Sequence, residues 1–538
     1  MTSSRRTYEE IYASFRWRIP ERFNIAEAAC DRHVGSGKTA IISETGAGTS
    51  EMTFEHLQEQ SRRLANALSA HGIARGDRIG ILLPQCPETV IAHLAAYRLG
   101  AIALPLFTLF GPEAIEYRLN DSGARAVVSN AAGVEKLLGV ADKLNSPPLI
   151  ISIDERRDGG VLDWTTLLAQ ASGDHAMVQT HAEDPAIIVY TSGTTGNPKG
   201  VLYAHRVLLG HLPGVELPHE FFPQPGDRMW TPADWAWAGG LMDVLLPSLF
   251  HGVPVLAKRL AKFDPEEAFS LLARHRVRNS FMPPTALKMM RQVPNPSGRF
   301  GYSMRSIASG GERLGEEMLD WGREVFGLTM NEFYGQTEAN LTVGNCASIM
   351  PLKHGSMGRA MPGHVVEIVD DDGNILPPGT AGAIAVKAPD PVFFLRYWNK
   401  PEATQEKFLN GWLLTGDTGV RDEDGYFWFH GRNDDVIISG GYRIGPTEIE
   451  ECLMAHPAVA LVAVVGVPDP VRGEVVKAFI VPREGVDVDD NVRADVQAYV
   501  KARLSAHEYP RQIEFRQSLP LTITGKIRRK DLRDEVKS

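Results

Sequence analysis

Cysteine is scarce: Cys30, Cys86, Cys346 and Cys452 are scattered through 538 residues without a CxxC pair. Such spacing fits neither a disulfide framework nor a structural zinc site, and a reducing compartment suits it best. Basic blocks are missing too. Lys and Arg number 56 against 66 Asp and Glu, a formal charge of -10, and no basic run exceeds a few positions. That balance argues against nucleic acid and anionic membranes as partners. Long hydrophobic runs are also absent. The most apolar stretch, Leu99 to Pro112, is too short to span a bilayer, and Met1 to Ile19 has no apolar signal core. These absences predict a cytoplasmic protein with no membrane insertion.

A Walker A loop is lacking as well. The nearest match, Gly35-Ser36-Gly37-Lys38-Thr39, has Arg32 where the first glycine belongs and no strand before it. It reads as a decoy turn.

What is present is ample apolar material, 43% of the residues, enough for more than one ordinary core. From Thr39 onward the apolar period alternates between two and 3.6 residues. A strand over Thr39 to Ser43 precedes a helix opened by Thr53, with Leu57, Ser61, Leu64, Ala65 and Leu68 on one face. A strand over Arg78 to Leu83, a helix over Glu88 to Leu99 and a strand over Ala101 to Leu106 follow, the sign of βαβ units. Further strands are expected at Ala124 to Val128 and Ala186 to Tyr190. Val365 to Val386 carries Asp-Asp-Gly and Pro-Pro-Gly turns typical of antiparallel hairpins. The polar break Gly431 to Asp435 places a domain boundary near Asp434. The expectation is an α/β and α+β protein: a large mixed-sheet domain over 1–433 and a small α+β domain over 434–538.

Tyr190 to Gly200 reads YTSGTTGNPKG, directly after an apolar strand. Its glycines let backbone N–H groups approach an oligophosphate, the hydroxyls of Thr191, Ser192, Thr194 and Thr195 add donors around Gly193, and Lys199 supplies a mobile cation. On composition alone a plain Gly/Ser/Thr surface loop is the commoner outcome. The ordered string decides otherwise, because it resembles the phosphate loop of the adenylate-forming superfamily, which includes acyl-CoA synthetases, luciferases and the adenylation domains of peptide synthetases. Four more segments resemble that family's motifs in order: Phe333-Tyr334-Gly335-Gln336-Thr337-Glu338, Thr415-Gly416-Asp417, Gly431 to Glu448, and Pro520 to Lys526.

Each has a chemical rationale beside its bland one. Glu338 suits Mg²⁺ on a triphosphate, Thr337 an α-phosphate, and Tyr334 an adenine face. Taken alone, Tyr-Gly-Gln-Thr-Glu is more often a strand-to-helix turn with Glu338 serving the helix dipole. Asp417 can accept from two ribose hydroxyls, or be an ordinary turn aspartate. The resemblance implies nucleotide roles for both motifs, adds Arg432, and places Gly311 and Glu312 beside the adenine. A lysine near other cations is usually a solvated tail, but the resemblance gives Lys526 the bridge between attacking carboxylate and α-phosphate, where an ammonium relieves anionic repulsion.

The resemblance further implies a hinge at Asp434, and Gly440, Gly441 and Arg443 at the coenzyme A path, which favours CoA as acyl acceptor over the luciferase and peptide-synthetase branches. No carrier-protein segment is expected after Ser538. Gly335 stands where acetate-specific relatives carry tryptophan, so a longer acyl pocket is expected, lined by Gly310, Gly335 and the aromatic segment Thr231 to Gly240 through Trp235 and Trp237. Core packing is an equally good reading of Trp235. ATP, Mg²⁺ and CoA are thus the implied ligands, with a short branched, medium-chain or alicyclic acid as substrate, or an aryl acid. The lysine motif also resembles a site for protein acetyltransferases and deacetylases. A stand-alone adenylating enzyme is an alternative within the family, and an inactive ATP sensor is the alternative of another class. It predicts loss of Lys199, Glu338, Asp417 or Lys526, and all four are present.

Overall fold

The computed structural model describes residues 6–154, 160–191, 197–258, 260, 262–432, 435, 437–439, 442–469, 472–504, 509–522 and 526–537. It divides into two compact units, residues 1–366 with 386–411 and residues 367–385 with 412–538.

The first unit contains two sheets. One runs in the order Arg396–Tyr397, Lys199–Ala204, Pro185–Thr191, Ile102–Pro105, Arg78–Leu82, Ala126–Ser129, Leu149–Ser152 and Leu162–Asp163. Its interior pairs are parallel, while Lys199–Ala204 returns antiparallel beside Pro185–Thr191. The second orders Gly358–Ala360, Ala339–Gly344, Asn331–Gln336, Ser306–Gly310, Asn279–Phe281, Met229–Trp230, Val255–Ala257, Thr39–Thr45 and Gly48–Thr53. It too is parallel at its centre and antiparallel at both ends. Parallel strands need covering on both faces, and the intervening helices supply it.

Those helices follow from local sequence. Phe54–Ala70 starts where Thr53 Oγ1 accepts from the His56 N–H at 3.3 Å, and it buries Phe54, Leu57, Ser61, Leu64, Ala65, Ala67 and Leu68. Pro87–Arg98 opens on proline and is buried almost all round. Its one buried cation, Arg98, is neutralised by Asp31 and bonded to Ser61 Oγ at 2.9 Å. No helix among the described residues is long and apolar enough to cross a membrane.

The decoy turn is explained directly. Glu55 Oε1 accepts from the N–H groups of Gly35 (2.7 Å) and Gly37 (3.1 Å), so the concavity that resembles an anion cradle already holds a carboxylate of its own chain. Its own backbone N–H first, and then the Gly37 N–H and the Thr53 hydroxyl, hold the exposed Glu55 carboxyl at about 2, well below its ordinary value.

The second unit has the consecutive strands Val366–Val369, Gly382–Lys387, Trp412–Arg421 and Tyr426–Arg432. The expected Asp-Asp-Gly turn is built on Asp370, whose Oδ1 accepts from Asp372 N at 3.0 Å and Asn374 N at 2.8 Å. A separate sheet orders Tyr442–Ile444, Ile437–Ser439, Gly473–Pro482 and Val459–Asp469, with Gln512–Phe515 also on Gly473–Pro482. Helices Pro446–Met454 and Asp490–Arg503 cover one face over Ile449, Leu453, Val462, Val464, Val476, Ile480, Val496 and Val500. Helix Arg529–Lys537 covers the other through Leu532, against Val465, Val475 and Phe479.

Candidate active site

In the first unit the phosphate-loop segment joins two paired strands: Tyr190 opposes Gly200, and Thr191 opposes Lys199. Ser192, Gly193, Thr194 and Thr195 lie outside the described residues; the loop's two ends do not. Tyr117 Oη donates to Pro198 O at 2.9 Å, and Tyr190 Oη donates to Asp121 Oδ2 at 2.6 Å. Burial first, and then Asp121, raise the Tyr190 hydroxyl far above its ordinary pKa. That hydroxyl serves as an anchor. Thr191 Oγ1 donates to Lys199 O at 3.4 Å, closing the neck of the loop.

Thr337 and Glu338 form the two-residue turn between the antiparallel strands Asn331–Gln336 and Ala339–Gly344. No helix follows, so the strand-to-helix alternative is replaced by a β-hairpin tip, and Glu338 has no helix dipole to serve. Three bonds fix the tip: Tyr203 Oη donates to Thr337 O, Tyr397 Oη donates to Glu338 Oε1, and Phe394 N donates to Glu338 O at 3.1 Å. Full burial, and then the Glu338 charge, hold the Tyr203 hydroxyl protonated. Lys199 Nζ lies 5.0 Å from the centroid of the Tyr397 ring, so the loop lysine and the tip carboxylate share one aromatic side chain.

Beside the tip, Ser306–Gly310 ends where a Cβ on Gly310 would stand 2.5 Å from the Phe333 ring, so the close approach of that ring requires glycine. Gly311 follows at φ +88°, then Glu312. Phe333 stacks on Phe281 with centroids 5.2 Å apart, and Phe281 meets Trp237 at 6.0 Å. Trp237 is partly exposed, whereas Trp235 is 1% exposed with its Nε1 unbonded among the described residues. The geometry gives Trp235 a core position and Trp237 a wall position.

Gly335 has a different environment from the open space expected. A Cβ there would stand 2.2 Å from Leu341 N and 2.6 Å from Asn340 Oδ1, inside the hairpin's own backbone. Behind it, Asn340 Nδ2 donates to Asp243 Oδ1 at 2.7 Å and meets His211 Nε2 at 3.3 Å. Burial raises the Asp243 carboxyl far above its ordinary value and lowers His211 to about 4, so both stay neutral.

In the second unit Asp417 is the direct register partner of Arg432 across paired strands, with Arg432 Nη1 3.8 Å from Asp417 Oδ1. The Asp417 side chain is 6% exposed and that of Arg432 40%. Thr415 Oγ1 accepts from Asp417 N at 3.1 Å and donates to Ile384 O at 2.7 Å, fixing the turn. Tyr334 is partly exposed on Asn331–Gln336 in the first unit. Asp434, Gly440 and Gly441 lie outside the described residues. Arg443 is described by its backbone, paired with Ile438.

Lys526 closes a small loop: its N–H donates to Thr522 Oγ1 at 3.0 Å, its carbonyl accepts from Thr522 N at 2.6 Å, and Leu521 bridges to Ile527. The helix beginning at Arg529 is bolted down immediately afterwards. Arg529 Nε donates to Glu450 Oε1 at 2.9 Å and its Nη1 stands 3.6 Å from Asp435 Oδ2; Arg533 also pairs with Asp435.

Sequence reading missed Tyr203, Tyr397, Phe281, Asn340, Asp243 and His211. The run Phe394-Leu395-Arg396-Tyr397-Trp398, aromatic and shortly before a proline-opened helix, was the available signal for Tyr397.

Residues 27–398 match the AMP-binding enzyme family and residues 448–526 the AMP-binding enzyme C-terminal domain. The chain is 36% identical over 545 residues to a mitochondrial acyl-coenzyme A synthetase, ACSM3, of Rattus norvegicus, covering 98% of this chain and 93% of that protein. It is 34% identical over 551 residues to acetyl-coenzyme A synthetase of Bacillus subtilis (strain 168), covering 98% and 95%. Among solved structures, the anthranilate CoA ligase AuaEII in complex with anthranoyl-AMP superposes with a TM-score of 0.87 at 28% identity, covering 96% of this chain and 98% of that one. With both family regions matched in order on the mixed-sheet fold of adenylate-forming enzymes, the chain belongs to the AMP-binding enzyme family, as a homologue of its acyl-coenzyme A synthetases over nearly the full length.

Proposed function

We propose that this protein is an AMP-forming acid:CoA ligase. A carboxylate attacks the α-phosphate of ATP to give acyl-AMP and pyrophosphate, and the CoA thiol then displaces AMP to give acyl-CoA. The observation that carries this reading is the hairpin tip, where Thr337 and Glu338 are fixed within reach of the aromatic ring that also carries Lys199.

Tyr397 occupies Glu338 Oε1, and Oε2 accepts no hydrogen bond from the described residues. One carboxylate oxygen without a donor among the described residues, and no cluster of three or more His, Cys, Asp or Glu among them, fits Mg²⁺, which takes most of its ligands from phosphate and water. When bound, the ion would neutralise charge on the triphosphate. Thr337 would donate to the α-phosphate and Lys199 would balance the departing pyrophosphate. Asp417 would accept from the ribose hydroxyls, with Arg432 beside it, and Gly311, Glu312 and Tyr334 would border the adenine. Lys526 would sit between attacking carboxylate and α-phosphate in the first half-reaction only.

For the second half-reaction the segment after Asp434 would turn, with residues 1–433 and 434–538 acting as the two bodies. Gly440, Gly441 and Arg443 would then line the path of CoA. The acyl group would lie along Trp237, with Gly310 and the Gly335 backbone at its border. The substrate under this reading is a short branched, medium-chain or alicyclic acid. The stacked Phe281 and Phe333 rings beside Trp237 favour a second reading, an aryl acid, since flat rings offer stacking surface.

ATP–pyrophosphate exchange across a panel of aliphatic, alicyclic and aryl acids, followed by CoA-dependent AMP release, tests both parts. Failure of every acid to support exchange would refute the adenylation reading; exchange without CoA-dependent AMP release would refute CoA as acceptor.

A further inference from the structure

Tyr397 lies on the two-residue edge strand Arg396–Tyr397, antiparallel to Lys199–Ala204, with Tyr397 opposite Val201. It is 2% exposed. Its N–H donates to Thr404 Oγ1 at 3.0 Å, and its ring packs edge-on against Phe394 at 4.9 Å. Phe394 in turn stacks in parallel with Phe408 at 6.3 Å and donates its own N–H to Glu338 O. Backbone, ring and neighbour therefore fix where the Tyr397 hydroxyl points, and it points at Glu338 Oε1.

A carboxylate on a half-buried hairpin tip can rotate about its last torsion, which is broad and shallow. A single directed O–H donor on one oxygen removes that freedom and sets the direction of the other. Magnesium demands near-octahedral geometry, so the orientation of a carboxylate that would hold it bears on affinity as well as its proximity does. The face of the same ring lies 5.0 Å from the Lys199 ammonium, a cation–π separation. One residue thus contacts the carboxylate and the ammonium, the groups of opposite charge that a metal triphosphate requires.

We propose that Tyr397 is a positioning residue of the nucleotide site: its hydroxyl orients Glu338 toward the divalent cation, and its ring holds Lys199 alongside. The proposal rests on the reading of Glu338 as the metal carboxylate.

The test measures Mn²⁺ affinity by electron paramagnetic resonance in the presence of a non-hydrolysable ATP analogue, for the parent, Tyr397→Phe, Tyr397→Leu and Glu338→Gln. Tyr397→Phe keeps the ring and its packing. It is expected to weaken Mn²⁺ binding about tenfold, the size of one charge-assisted hydrogen bond, while affinity for the metal-free analogue stays within about twofold. Raised Mg²⁺ should restore its ATP–pyrophosphate exchange, and thioester formation from preformed acyl-AMP should be unchanged. Tyr397→Leu should also lose affinity for the metal-free analogue, because Lys199 loses its ring. If Glu338→Gln loses Mn²⁺ and Tyr397→Phe does not, the proposal fails and the reading of Glu338 stands. If Glu338→Gln binds Mn²⁺ like the parent, that reading fails first.

Discussion

Replacing Arg529 by Met tests whether the lysine loop of the second unit is held by the buried ion group at its base. The guanidinium contacts Glu450, whose side chain is 10% exposed, and Asp435, whose side chain is 9% exposed. Asp435 keeps Arg533 when Arg529 is lost, so the uncompensated charge falls on Glu450. Glu450 in turn keeps one donor, Val464 N, at 2.8 Å from Oε1. Stranding a fully buried charge costs about 3–5 kcal/mol; the retained donor and the 24% exposure of Arg529 bring the expectation to about 2–3 kcal/mol. For a unit of this size that is about 5–10 °C in Tm, read by calorimetry. Adenylation should fall about tenfold, because Lys526 stands three residues before Arg529, while thioester formation from preformed acyl-AMP is retained. The double variant Arg529→Met with Glu450→Leu should regain most of the stability, since both charges leave together. A Tm within about 1 °C of the parent for Arg529→Met alone would refute the argument.

Three further outcomes follow from the geometry. Trp235→Ala, made in the core, should lose about 3–5 kcal/mol and keep the order of preferred acids, whereas Trp237→Ala should keep Tm within about 3 °C and reorder them; equal Tm losses would remove the distinction. Gly335→Trp should lower exchange for every acid, since its Cβ begins 2.2 Å from Leu341 N; retained acetate activation with loss of longer acids would show instead that the glycine faces the acyl group. Lys526→Ala should abolish acyl-AMP formation while sparing thioester formation from preformed acyl-AMP, and equal loss of both half-reactions, measured separately, would remove its special role.

The fold was legible wherever one element declares itself. The expected strand at Thr39 to Ser43 is Thr39–Thr45, the Thr53-capped helix is Phe54–Ala70, and the strand at Ala186 to Tyr190 is Pro185–Thr191. Periodicity and caps act within a few residues, so they survive in one dimension. What was not legible is long-range. Tyr397 is 59 positions from Glu338 and Tyr203 is 134 from Thr337, and no local pattern marks a tyrosine as the partner of a distant turn. The hairpin after Gln336 was missed for a similar reason. Its register depends on Leu341 adopting φ +54°, a conformation that no leucine signals. Gly335 was read from a size comparison alone, and only the fold reveals that Asn340 and Leu341 occupy the space beside it.

The groups that carry the proposed chemistry are tightly held inside each unit, and this bears on where a pivot can act. Thr337 and Glu338 are fixed on three sides, and Lys526 is closed onto Thr522. These bonds hold the main chain at Thr337, Glu338 and Lys526 and one Glu338 carboxylate oxygen. A reaction that used Lys526 in one half-reaction only, as proposed above, would withdraw it by moving the segment that carries its main chain. Arg432 is locked in register with Asp417, and Asp435 is bound by Arg529 and Arg533. Between those two anchored positions lie Asn433 and Asp434. Under the proposed hinge those two residues, which lie within the second unit, would change their dihedrals, and the ion pairs on Asp435 would make the helix that follows Lys526 turn with it.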